Sequence, residues 1–237
     1  AASEVYKRQM EQPSINGDLA ARAVVDTRQL PWSPSPSGTV WRKRAHRVGP
    51  PESGQVTSVV RYEADSRFPS HDHPEGEEIL VLSGVFSDEH GDWPQGTYLL
   101  NPEGFRHAPF SREGCVLFVK LRQFPGLDRQ HVAIDLDAMP WLPGDASGVE
   151  QKPLYGQPGF SDTMRIEKWS PGTEQLARDA AGGLEYFVTD GQFEDELGTY
   201  GPGTWLRLPP GAVHRPRSPQ GCTVYVKAGG ATYLRGA

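Results

Sequence analysis

The sequence predicts an all-β protein built as two tandem barrels, and three observations carry that expectation. Short runs rich in Val, Leu and aromatics, such as "EILVL", "GTYLL" and "CVLFVKL", are bounded by clusters of Gly, Pro, Asp or Asn. The 27 glycines and 22 prolines are spread along the 237 residues as punctuation between such runs, not gathered into a linker. The chain also repeats itself at a period of one small domain.

The repeat is direct. "VDTRQLPW" (Val25 to Trp32) returns as "IDLDAMPW" (Ile134 to Trp141). The stretch Gly76 to Leu121 aligns without a gap on Gly183 to Ala228, with about 20 of the 46 positions identical. The expected organisation is an N-terminal extension over 1–21, a first barrel over 22–131 and a second over 132–237. Turn signals every 8 to 12 residues or so suit a sandwich or jelly roll. Helix signals are confined to "EVYKRQMEQ" (Glu4 to Gln12) and "EQLARDA" (Glu174 to Ala180), each worth a turn or two.

A formal charge of −6 leaves no basic stripe to neutralise phosphates, which argues against nucleic acid as a partner. "WRKRAHR" (Trp41 to Arg47) is the one basic cluster and reads as a solvated strand edge, not an anion site. No apolar run approaches the roughly 18 residues that would cross a membrane, and no signal-peptide pattern opens the chain. A soluble cytoplasmic protein is expected. Cys115 and Cys222 occupy equivalent repeat positions and read as buried small hydrophobes, not as reactive thiols or a disulfide. His90 lies in the hairpin turn "SDEHGD" and reads as a solvated loop residue. Trp32 and Trp141, each after a proline, are expected to plug the barrel mouths or to pack where the repeats meet.

The chemistry concentrates in "HDHPEGEEILVLSG" (His71 to Gly84). His71 and His73 are two apart and project to one face of a strand. Glu77 follows a short turn and faces the same way as Ile79 and Val81, and His107 sits after a second turn, "NPEG". Three imidazoles and a carboxylate inside a barrel suit a divalent transition metal. Phe118, Tyr98 and Arg61 are candidates for the cavity wall. No acid–base pair beyond the ligands stands out, so the catalytic residues stay unassigned.

Two spacings then meet a known family. HxH, three residues, Glu, six residues, Gly is followed by Gly96, five residues, PxG, two residues and His107. This pair resembles the two motifs of the cupin superfamily, with His71, His73, Glu77 and His107 at its ligand positions. More narrowly, the chain from Gly76 to Phe124 is similar to the metal-binding cupin domain of the ChrR anti-sigma factors and their stand-alone relatives. The resemblance covers nearly the whole chain from about residue 22. It implies two jelly-roll (cupin) barrels and one divalent ion: Zn, Fe(II), Mn or Ni.

The sequence departs from that pattern twice. The twenty leading residues hold no His or Cys, so the zinc-binding domain with which ChrR proteins grip a sigma factor has no counterpart there, and sigma-factor binding is not expected. In the second repeat His71, His73 and Glu77 align with Arg178, Ala180 and Leu184. Only His107 keeps its partner, His214, while Glu185 aligns with Glu78 and points away. A second barrel without metal, structural or holding a ligand, is expected. Two functions stay open: a small-molecule or oxidative-stress-related sensor or binding module, and an Fe(II)-type dioxygenase acting on a diketone or hydroxy-ketone. The expected partner is a small-molecule ligand or substrate, with homodimer formation left open.

Overall fold

The structure is a computed structural model that describes residues 13–174 and 178–237. Strands and turns account for almost all of it, and the one helical element among the described residues is a 3-10 turn, Gly230–Tyr233. The helical stretch expected over Glu4 to Gln12 lies outside the described residues, as do residues 175–177 of the second. What flanks the latter, Thr173–Glu174 and Arg178–Asp179, is strand.

The chain forms two compact units. One holds the described residues up to Leu19 with Trp32–Ala133 and Tyr233–Ala237; the other holds Ala20–Pro31 with Ile134–Thr232. The boundaries expected at 21/22 and 131/132 follow the sequence repeat, and the units depart from them at both chain ends. The strand Ala23–Asp26 pairs antiparallel with Thr204–Leu208, Val25 opposite Trp205, which makes it part of the second unit. The C-terminal residues join the first unit through the buried Gln55 side chain. Its amide donates to the carbonyls of Arg122 and Tyr233, at 2.6 and 2.8 Å, and its oxygen accepts from Arg235 N at 2.7 Å.

Both main sheets run in the same order. In one it is Val132–Asp135, Thr97–Asn101, Glu77–Asp88, Cys115–Leu121, Gln55–Tyr62, Val40–Val48 and Ser33–Pro34. In the second it is Ala23–Asp26, Thr204–Leu208, Leu184–Gly191, Cys222–Ala228, Thr163–Trp169, Val149–Gly156 and Leu142–Pro143. Alternation sorts the side chains: Ile79, Val81, Leu99, Leu117 and Val119 share one buried cluster. Glu78 and Tyr98, one position out of phase, bond each other at 2.7 Å on the opposite face. In the second unit the same parity puts Leu184, Tyr186 and Val188 into the core and sends Glu185 to Trp205 Nε1 at 2.8 Å.

Gly84 closes the first motif. Its strand shifts register between Val116 and Leu117 of its partner, its φ is +73°, and a Cβ there would lie 2.2 Å from the Gly114 carbonyl oxygen. Gly191 repeats this at φ +65°, its Cβ position 2.2 Å from Gly221 O. Because both neighbours are backbone, neither strand can yield locally. Gly84→Ala should therefore cost the first unit about 2–4 kcal/mol, read as a lower denaturant midpoint for that unit; an unchanged midpoint would contradict the strain argument.

Candidate metal centre

Three local features assemble the cluster. The short strands His71–Asp72 and Arg106–His107 pair antiparallel with His71 directly opposite His107. His73 lies two residues on, held by its N–H to Phe105 O at 3.1 Å and by Gly76 N and Gly104 N on its carbonyl at 3.1 and 3.2 Å. The turn back to Glu77 uses left-handed Glu75 and Gly76, φ +57° and +71°. Gly76 is required twice over, since a Cβ would also meet the Asn101 carbonyl oxygen at 3.0 Å.

His71, His73 and His107 each offer a ring nitrogen, all within 4.8 Å of one another, and among the described residues this is the one such group that could hold a metal ion. Glu77 joins it: its Oε2 lies 3.5 Å from His73 Nε2 and 3.6 Å from His107 Nε2, and those two nitrogens are 2.8 Å apart. Donors bonded at about 2.0–2.2 Å to one ion sit about 2.8–3.6 Å from each other, so the spacings fit a shared cation. Two of the outer ring nitrogens and the carboxylate are also tied. His71 Nδ1 bonds Pro69 O at 2.9 Å and His107 Nδ1 bonds Asp88 Oδ2 at 3.0 Å, leaving both Nε2 atoms to face inward. Asn101 Nδ2 donates to Glu77 Oε2 at 3.0 Å. Carboxylate and carbonyl partners of this kind fix the tautomer of a metal-binding imidazole.

The electrostatics agree with a cation-shaped site. Burial, only partly offset by Glu77, holds His73 below its ordinary pKa. Burial pushes His107 the same way, but the Asp88 hydrogen bond and the Glu77 charge outweigh it, and its pKa is raised. The two Nε2 atoms, 2.8 Å apart, cannot both carry a proton toward the other, and a metal ion would take the place of any proton between them. Asp88 is itself held below the usual carboxylate range, its burial overcome by bonds from His107, the His90 amide and the Trp93 ring. Sequence reading missed Asp88 by treating its turn as a bare hairpin. A signal was present, because Asp88 and His107 return together as Asp195 and His214, bonded at 3.0 Å.

His71, His73 and Glu77 form part of the wall of a cavity of about 370 Å³. Its apolar sides include Val60, Ile79, Phe86, Leu117 and Val119, and Arg42 and Arg44 line it as well. The expected wall residues Phe118, Tyr98 and Arg61 are not among the lining. Phe118 and Arg61 each sit one residue out of phase with those that are, and a period of two turns that slip into the opposite face, while Tyr98 is out of phase with the core residue Leu99. Arg61 instead lies over the Trp32 ring, as does Lys43, each 4.7 Å from its centroid. Trp141 has Lys152 and Lys168 in the same places, so these tryptophans are clasped by cations on the outer wall, not lodged as mouth plugs. Arg42 and Arg44 likewise correct the reading of Trp41 to Arg47 as a solvated edge. His90 is exposed, in line with its reading, and both cysteines are free and buried, their thiols pushed up by burial to about 11 and about 12.

In the second unit Arg178 stands opposite His214, as His71 stands opposite His107. Its guanidinium donates to both oxygens of the buried Glu167, at 3.0 and 3.1 Å, and Trp169 and Tyr186 replace Tyr62 and Ile79 in the interior. His214 is the sole histidine of that unit. Burial holds its pKa below the ordinary value despite Asp195. A histidine kept neutral by folding contributes stability that is complete above the unfolded pKa of about 6.5 and is lost as pH falls below it. The second unit should thus lose stability between pH 7.5 and 5.5, with His214→Gln flattening the profile. An equal slope in wild type and variant would place the titration elsewhere.

A barrel pair with a histidine-rich centre in one member defines a two-barrel cupin, a bicupin. The ChrR Cupin-like domain model matches residues 20–125 and again 129–232, and the chain belongs to that family. No curated protein matches the sequence. Among solved structures it is similar to a candidate dioxygenase of Nostoc punctiforme, with 15% identity and a TM-score of 0.69 over 87% of this chain and 82% of that one. The pirin YhhW of Escherichia coli, solved with nickel(II), matches at 12% identity and a TM-score of 0.63, over 92% of this chain and 100% of that one. Oxalate decarboxylase of Lactobacillus farciminis, in a formate complex, matches at 11% and 0.63, over 92% and 90%. At such identities these likenesses show the shared fold. No helix among the described residues is long and apolar enough to cross a membrane.

Proposed function

We propose that the first barrel holds one divalent ion on His71, His73, Glu77 and His107, and that the protein is a metal-dependent oxygenase of the dioxygenase type. Its substrate would be a small diketone or hydroxy-ketone able to chelate. The cavity carries this reading: ligand side chains form one wall of a space of about 370 Å³. A purely structural ion is closed in by its ligands and needs no such room. A bound Fe(II), Mn or Ni ion would supply Lewis acidity and a place for chelating oxygens, and Zn would supply Lewis acidity. The chain supplies the rest. Asp88 and Pro69 hold the tautomers of His107 and His71, Asn101 fixes the Glu77 carboxylate, and Ile79, Phe86 and Leu117 keep water from the far wall.

A second reading, a sensor or binding module, is favoured by membership of the ChrR family. The two separate on one experiment. Protein reconstituted with Fe(II) is screened for oxygen uptake with diketones and hydroxy-ketones. Uptake that disappears in His73→Ala supports the oxygenase; a metal-loaded protein that binds such a compound without consuming oxygen overturns it and favours the sensor.

A further inference from the structure

The strand Val40–Val48 presents Val40, Arg42 and Arg44 to the cavity, while Lys43 lies on the Trp32 ring at the other face. Two arginines thus occupy inward positions of a barrel wall, where alternation would place apolar residues. They stand opposite Val60 and Ser58, which line the same cavity. Arg42 Nη1 donates to both oxygens of Glu52, at 2.8 and 2.7 Å. Arg44 is poorly served: its Nη2 reaches Pro51 O and Glu52 Oε1 at 3.3 and 3.4 Å, and its Nε is buried without a partner. Burial first, and then Arg42, hold the Arg44 guanidinium below its ordinary pKa, the mark of a cation short of counter-charge. Glu52 sits in the turn before Gly54 with its side chain 44% exposed, so it can move aside.

The second barrel supplies a control. Val40 opposite Tyr62 corresponds to Val149 opposite Trp169. That register sets Gln151 and Pro153 at the positions of Arg42 and Arg44. Arg42 and Arg44 accompany the histidine cluster; where it is missing their places hold Gln151 and Pro153, and Arg165, opposite Pro153, is tied to Glu167.

We infer that the ligand of this cavity is an organic acid, its carboxylate taken by Arg42 and Arg44 in place of Glu52 and its keto or hydroxyl oxygens turned to the His71, His73 and Glu77 wall. This rests on the metal reading above and narrows its substrate class. The charge on the lining agrees. Arg42, Arg44 and Arg122 are matched by Glu52, Asp72 and Glu77, so a divalent ion leaves the cavity with excess positive charge that an anion answers. A guanidinium fork is the side chain best shaped to take a carboxylate, and Glu52 serves as its internal stand-in.

The test uses the full chain loaded with Co(II), whose visible spectrum reports a ligand at the metal. Acetoacetate, an acid, is titrated against pentane-2,4-dione, its neutral analogue. Acetoacetate should bind about tenfold or more tightly. Arg44→Gln should erase that preference by weakening acetoacetate alone, and Glu52→Gln should shift affinity the other way, tightening acetoacetate a few-fold, so that misfolding cannot imitate the pattern. Equal affinity for both probes, binding of neither with cobalt in place, or an acetoacetate affinity that both variants leave unchanged overturns the inference. If cobalt itself does not bind, the metal reading has failed. Calorimetry of acetoacetate on metal-free protein then decides the arginines: binding lost in Arg44→Gln supports them and no binding overturns them.

Discussion

Replacing His107 with alanine should take the metal content of protein purified without added metal from about one ion per chain to background. His73→Ala should do the same. Both side chains are almost fully enclosed, their Nε2 atoms 2.8 Å apart and each within 3.6 Å of Glu77, so removing either takes a donor from the middle of the set. Asp88→Asn is the graded companion: it keeps all four candidate ligands but replaces the carboxylate on His107 Nδ1 with an amide, and should weaken affinity about 10–100-fold while saturating metal still binds. His214→Ala should leave the content untouched. Elemental analysis of the four variants checks the set, and an ion retained in His107→Ala, or lost in His214→Ala, would refute the assignment.

How much of this was legible beforehand depended on how local the determinant is. His71, His73, Glu77 and His107 were readable because each sits a fixed step from a turn whose glycine or proline is visible in the sequence. Asp88 was hidden only by being read alone, since the repeat preserves it with its histidine. At Phe118 and Arg61 the cavity wall was misjudged by a single residue. Nothing in "SVVRYEA" states whether Val60 or Arg61 faces inward until the pairing with Val40–Val48 sets the parity. Arg42 and Arg44 were lost for a related reason. The run from Trp41 to Arg47 has no apolar alternation of its own, and the register shift between Arg44 and His46 reverses its parity midway, burying His46 and Arg47. The placement of Ala23–Asp26 in the second unit was not legible at all, because a repeat marks homology and leaves open which sheet edge a strand will join.

The largest thermal effect should come from chelation, and it should fall on one barrel. His71 and His73, Glu77, and His107 belong to three chain segments that an ion would bind only when the first unit is folded, so the binding free energy adds to that unit's stability. With metal at a thousand times its Kd the gain is about 4 kcal/mol. At about 4–8 °C per kcal/mol for a unit of this size, removal should lower its melting by roughly 15–30 °C. The second unit has Arg178, Ala180 and Leu184 at the corresponding positions and an internal ion pair on Glu167 instead, and its transition should stay where it was. Calorimetry with and without chelator at neutral pH reads both transitions. The glycine variants assign them, Gly84→Ala lowering the first unit and Gly191→Ala the second. Two transitions that fall together would show that the ion is not confined to the first barrel. A first transition that does not move, in protein shown to have lost its metal, would mean that the cluster is held by its own hydrogen bonds. The ion would then be there for the ligand in the cavity and not for the fold.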